Sequence, residues 1–291
     1  MAIVFGLLAA ILWGVADFLA RFSARALGPW RSALYGQIPG LLLFLAWLAC
    51  DGTTRHKAYA APYPYWLLAL VAGTGSTLSS YAMTRGLIAG ALSLVVPVVA
   101  SYGAVSTVLA ILTGERLSAM AALGIAITVG GIAAAAIGRR ATRVAGVLPA
   151  THPRAGVGWA LIAAGGYGAT LWLQGRFVMP HLGPVMPLFL ASLISLCVTV
   201  VLARMRGHSL APPPRGVLRF TWGYGTLTAM AYLSLALGLA TGQVAIVAVL
   251  SSLCSTITAL MGFLLLKERL AVRQWAGICL ILLGVGLING G

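Results

Sequence analysis

At 291 residues, with 60% hydrophobic and only 8% charged residues and a mean hydropathy of +1.00, the chain lies far from the composition of a soluble domain, where about a quarter of residues are charged. The same numbers exclude a disordered chain. Lys and Arg outnumber Asp and Glu 19 to 4, a formal net charge of +15, and in so apolar a chain this excess points to loops on the cytoplasmic side of a membrane rather than to nucleic acid.

An ion in hydrocarbon costs several kcal/mol, so the charges mark where membrane spans of roughly 20 apolar residues begin and end. The first predicted span runs from about Ala2 to Arg21 and encloses Asp17, the one acid inside a predicted span. Its uncharged start leads straight into Trp13 and Gly14, without the basic start and small-residue cleavage site of a signal peptide, and it reads as a retained helix. Charge-free runs at 32–50, 58–84, 86–114 and 117–138 each predict one helix, helices two to five, with helix four (86–114) interrupted by Pro97. Residues 139–156, with Arg139, Arg140, Arg143 and Arg154, form a basic linker that bisects the chain. Beyond it, runs at 155–175 and 177–203 predict helices six and seven, and a Pro-rich loop follows at Gly207 to Gly216. The run 220–266 is long enough for two helices, and 274–291 supplies the last. The expected fold class is an all-α membrane protein of ten transmembrane helices, with a first five-helix unit at 1–138 and a second at 157–291.

Of the 19 Lys and Arg, 15 fall in the loops after odd-numbered helices and 4 in the others. The positive-inside rule then puts the odd loops in the cytoplasm and both termini in the periplasm of a bacterial inner membrane.

The two units echo each other. Leu112 to Leu117 reads LTGERL and Leu265 to Leu270 reads LLKERL, with Glu115 and Glu268 153 residues apart (268 minus 115). Gly124 and Gly131 recur as Gly277 and Gly284; Gly6 and Gly14 recur as Gly158 and Gly166 at an offset of 152; Arg21-Phe22 and Gly28-Pro29 recur as Arg176-Phe177 and Gly183-Pro184 at 155. The shifts in offset read as short insertions. An odd number of helices per unit turns the second copy upside down in the membrane, which predicts an inverted-topology repeat around a central cavity.

The Leu12-Trp13-Gly14 opening, the ERL ends of helices four and nine and the Gly-rich helices five and ten resemble the drug/metabolite transporter superfamily, specifically its ten-helix EamA type. Within that type the chain is most similar to the YddG-like amino acid exporters. It departs from the pattern where Lys267 replaces the usual Gly before Glu268, and where Gly165 and Gly166 replace the Trp-Gly of helix one. The resemblance implies a basket of helices around a cavity and export of small metabolites, often amino acids.

An intramembrane carboxylate is a functional candidate by default, so Asp17 reads as a proton site or an anchor for a substrate ammonium; local pairing with Arg21, one turn later, is the alternative. The expected pocket residues are Trp13, Asp17, Tyr81, Tyr102, Tyr167, Trp172, Ser251 and Ser252, within a wider set that includes Ser79, Ser80, Gln174, Tyr232 and Ser255. Aromatic rings can face an apolar side chain or an ammonium group, and hydroxyls can bind a carboxylate without fixing a charge in the membrane. Against this stands packing, since Trp and Tyr also gather at membrane interfaces and Ser packs between helices. Trp13 and Tyr167 lead because they occupy the middle of repeat-related helices. Pro97 reads as a hinge or as a static kink. Glu115 and Glu268 read as clasps for backbone N–H groups at the start of the next helix, and the glycines of helices five and ten as a close packing seam.

No G-x-x-x-x-G-K-[ST] loop is present to hold a nucleotide, and the four cysteines lie apart from the four histidines, so no cofactor and no metal is expected. The expected partners are a small-molecule substrate and membrane lipid, with no nucleic acid, and a monomer is the expected state. A secondary transporter leads. The alternatives are an intramembrane enzyme, which would need His or H-E-x-x-H within the spans, and a structural or pore subunit, which would favour rings of like residues.

Overall fold

A computed structural model describes residues 1–89, 98–137 and 153–266, together with 275–277, 279–281, 283–284 and 287. Among these residues there is no strand, as expected where the bilayer offers no water and each helix must satisfy its own backbone. The helices are α1 (Ala2–Leu27), α2 (Pro29–Cys50), α3 (Gly52–Ala60), α4 (Tyr63–Ala89), α5 (Tyr102–Leu112), α6 (Ala119–Ile137), α7 (Pro153–Leu173), a π-helical turn (Gln174–Val178), α8 (Met179–Leu182), α9 (Val185–Met205), α10 (Arg215–Leu239), α11 (Val244–Ser251) and α12 (Cys254–Leu266). Among the described residues, three helices are each long and apolar enough to cross a membrane: Ala2–Ala24, Trp30–Cys50 and Val185–Met205.

Several boundaries differ from those the charges suggested. Helix α1 continues through positions 21 and 25 to Leu27, past the point where charge alone would end it. Helix α7 begins at Pro153, inside the expected linker, and Pro is well suited to the first helical position. Helix α3 fills the polar stretch between the second and third predicted helices. It forms because Asp51 takes the N-cap, accepting hydrogen bonds from the backbone N–H of Thr53 (3.0 Å) and Thr54 (3.3 Å).

The repeat is visible in the backbone. Gly28, between α1 and α2, has φ 77°, and Gly183, between α8 and α9, has φ 74°. Only glycine enters that region freely, so the two Gly-Pro corners turn the chain in the same way. Helix packing comes in matching pairs. Helix α1 lies along α10 as α7 lies along α4; α2 packs on α10 as α9 packs on α4; α5 packs on α7 as α11 and α12 pack on α1; and α2 meets α9 while α5 meets α11.

Close approaches at glycine follow the same symmetry. A Cβ on Gly14 would stand 2.6 Å from Ile257 Cβ, and one on Gly168 would stand 2.6 Å from Val105 Cβ. The partner of Gly14 in the second half is therefore Gly168, at an offset of 154, and not Gly166, which instead faces Ser79 on α4. On this register Trp13 corresponds to Tyr167 and Asp17 to Leu171, in place of the Ala169 or Trp172 suggested by spacing alone. The expected glycine seam is also present. A Cβ on Gly131 would lie 2.8 Å from Gly277 O, and one on Gly284 would lie 2.6 Å from Gly124 O.

Candidate functional site

Two breaks in the helical ladder mark the middle of the molecule. Residues 98–100 are helical, Ser101 is a turn and α5 restarts at Tyr102; likewise α11 ends at Ser251 and α12 restarts at Cys254. At each break a serine turns its hydroxyl back onto a carbonyl three residues earlier, Ser101 Oγ to Val98 O and Ser252 Oγ to Val249 O, both at 2.6 Å. A serine that donates to its own backbone competes with the helix and loosens it. The breaks face one another: a Cβ on Gly103 would stand 3.1 Å from Ala248 O and 3.3 Å from Ser252 Oγ. The expected hinge, Pro97, lies outside the described residues.

Around these breaks the two halves bring matching side chains together. Trp13 on α1 meets Tyr232 on α10 edge to face, with ring centres 4.9 Å apart and planes at 88°. The corresponding pair is Tyr167 on α7 and Ser80 on α4, whose hydroxyls are 2.7 Å apart. Tyr102, at the restart of α5, faces Tyr167 at 6.3 Å between ring centres. Its counterpart at the restart of α12 is Cys254, 152 residues later.

Asp17 follows Trp13 by one helical turn, is exposed, and stands close enough to Tyr102, Tyr167 and Tyr232 to act on all three electrostatically. Tyr232 keeps 38% of its surface accessible although its ring packs against Trp13 on α1. The accessible part of Tyr232, with the exposed Asp17 and Ser80, borders a recess between the two halves. The recess holds one carboxylate on the Trp13 side and a set of hydroxyls on the Tyr167 side.

Of the expected pocket residues, Trp13, Asp17, Tyr102 and Tyr167 gather here, while Ser251 is fully buried with its hydroxyl donating to Ala248 O at 3.0 Å. Ser252 is buried at the break with its hydroxyl on Val249 O. Two others lie elsewhere. Trp172 Nε1 donates to Thr113 Oγ1 at 3.0 Å at one end of the molecule, and its ring meets Phe177. Tyr81 lies at the other end, between Arg85 and Arg206. Cys254, which is not among the expected pocket residues, holds the position equivalent to Tyr102, and that repeat register is the signal that points to it.

Glu115 acts as a clasp, with a partner different from the one expected. The Ala245 N–H donates to its carboxylate (3.1 Å to Oε1, 3.4 Å to Oε2), so the loop after α5 caps α11 of the other half, while the next helix, α6, is capped by Ser118 Oγ, which accepts from Ala121 N at 3.1 Å. Burial pushes the Glu115 carboxyl above its ordinary value, against the backbone N–H groups of Ala245 and Val244 and the nearby Arg176. Arg176 Nη2 also donates to Thr113 O at 3.4 Å, so α5 is fastened at this end to both α11 and the π-helical turn. Glu268 lies outside the described residues.

The EamA-like transporter family matches the chain twice, over residues 1–137 and 154–290. A solved structure described as "Crystal structure of protein" is similar in fold, with a TM-score of 0.77 and 18% identity, over 98% of this chain and 95% of the other. No curated protein matches the chain.

Proposed function

The chain belongs to the EamA-like transporter family, whose members move small molecules across membranes, and from that premise we propose that it exports amino-acid-like zwitterions by alternating access. On this reading ten helices cross the bacterial inner membrane as two inverted five-helix repeats, 1–138 and 157–291, joined by the basic linker 139–156, with both termini periplasmic. The separate family matches over the two halves support the division, and the Lys and Arg count supports the orientation. The helix breaks at Ser101 and Ser252 agree with a binding site at mid-membrane, where discontinuous helices of transporters leave polar backbone facing a cavity.

The observation that carries the substrate class is the polarity of the recess. Asp17 offers an anion beside the faces of Trp13 and Tyr232, which suits an ammonium group. Ser80, Tyr102 and Tyr167 offer hydroxyls on the opposite wall, which suit a carboxylate without placing a fixed cation in the membrane. An α-amino acid presents those two groups on one carbon. Its side chain then lies along the rings, in keeping with aromatic or broadly neutral substrates and with the YddG-like exporters that the sequence resembles.

The test is efflux from proteoliposomes loaded with single amino acids, with the N-acetylated form of each as control. Release of the free amino acids above that from empty liposomes, with N-acetyl forms retained, is the expected result. Equal release of both forms would remove the ammonium site, and no release of any amino acid would remove the substrate class.

A further inference from the structure

We propose that the end of the molecule where α4 and α9 finish and α2 begins holds the headgroup of an anionic phospholipid. Six side chains form a continuous ladder of rings and cations there. The Arg85 guanidinium lies 6.0 Å from the centre of the Trp159 ring and 5.8 Å from that of Tyr81. Arg206 Nη2 stands 3.5 Å from the Tyr81 hydroxyl, its guanidinium lies 5.1 Å over the Trp30 ring, and Trp30 stacks on His208 at 5.4 Å. The stop of α9 sets up the last step. Gly207, at φ 68°, lets the His208 N–H donate to Ala203 O (2.9 Å) and carries the chain back over Trp30.

Among the described residues, which do not include Glu268, charge at this end is one-sided. Of the four acids in the chain, Asp51 and Glu115 belong to the opposite end and Asp17 to the recess, so no described carboxylate answers these arginines. Arg31, next to Trp30, has a buried Nε with no hydrogen-bond partner among the described residues. A buried guanidinium N–H without an acceptor is costly, and a phosphate oxygen is the acceptor that its planar fork fits best. Stacking on Trp30 occupies one flat face of Arg206, and the N–H groups other than the one on the Tyr81 hydroxyl remain for that purpose.

The neighbourhood selects lipid over a soluble anion. Of the three long apolar helices, α2 and α9 have the smaller share of their residues inside the protein, 22% each against 39% for α1, so both look outward to the bilayer. Trp30 opens the apolar stretch of α2, and Arg206 directly follows that of α9. Rings and cations at the ends of outward-facing membrane helices lie at headgroup depth. The inference rests on membership of the membrane transporter family and is independent of what the recess carries.

Thermal unfolding of the full chain in neutral detergent, titrated with dioleoyl phosphatidylglycerol, dioleoyl phosphatidylcholine or soluble glycerol 3-phosphate, tests it. Phosphatidylglycerol is expected to raise Tm, and the other two are not. Arg85→Gln with Arg206→Gln should weaken the phosphatidylglycerol midpoint by roughly fivefold per arginine, while Arg55→Gln on α3 at the opposite end should leave it unchanged. Equal stabilisation by glycerol 3-phosphate, or a loss in Arg55→Gln as large as in the double variant, would overturn the proposal. Should the Gln pair fail to fold, Arg85→Lys with Arg206→Lys decides. A weakened midpoint supports the stacked ladder, and an unchanged one refutes it.

Discussion

The two walls of the recess are built on the same backbone and carry different chemistry. Trp13, Tyr232 and Cys254 on one side correspond by position to Tyr167, Ser80 and Tyr102 on the other, and the glycines beneath them, Gly14 and Gly168, touch their neighbours alike. Yet the first wall has a carboxylate, Asp17, where the second has Leu171. Symmetry is kept where backbones meet and abandoned where a solute would be recognised. A solute with unlike ends needs such a site, since two equal walls would not distinguish one end from the other.

The comparison can be broken at its foundation first. Gly14→Ala and Gly168→Ala should each cost about 1–3 kcal/mol through overpacking, measured by thermal unfolding in detergent, and the two losses should agree; a harmless change at one site alone would end the equivalence. Next in size, Asp17→Asn should slow amino acid efflux on the order of thirtyfold, the worth of a charge-assisted hydrogen bond, and erase the preference over N-acetyl forms. A variant that transports and discriminates normally would leave Asp17 as a local ion-pairing residue.

Trp13→Ala and Tyr167→Ala should each reduce efflux on the order of tenfold while eluting from gel filtration as wild type does. They should differ in kind, the first discriminating among amines and the second among carboxylates. Identical profiles would show that the walls do not divide the labour.

The smallest effect concerns the clasp that ties the halves together. Glu115 has its folded pKa raised above 4.5 by burial, so the fold favours its protonated form. The corresponding stability is fully present below 4.5 and is lost as pH rises through the raised value. Tm should therefore fall over that interval in the wild type, and Glu115→Gln, neutral at every pH, should remove that part of the dependence. A slope unchanged by the substitution would assign it to other groups.

Much of this arrangement could be read from residues alone, and the reasons for success and failure are physical. The Gly28-Pro29 and Gly183-Pro184 corners were legible because only glycine takes positive φ without strain. Trp13 and Tyr167 were legible because they sit at mid-span in both copies. Ser80 and Tyr81 show the limit: adjacent residues on a helix point about 100° apart, so one reaches the recess and the other an arginine cluster, and no local pattern says which. The breaks at Ser101 and Ser252 were hidden because a serine within an apolar run has no signature until its hydroxyl is seen on its own backbone. Helix α3 was hidden by its polarity, since charge was used to mark the ends of helices, and here a single aspartate begins one.

The π-helical turn at Gln174–Val178 explains a numerical oddity of the repeat. Before it, Gly14 and Gly168 are 154 residues apart; after it, Gly28 and Gly183 are 155 apart. A π turn accommodates one residue more than an α turn, so the extra residue of the second copy is stored in a widened loop of backbone between recess and corner. An insertion elsewhere in α7 would have rotated every later side chain by about 100°. Confined to these five residues, the length mismatch between two once-identical segments was absorbed without moving either the binding face or the bend.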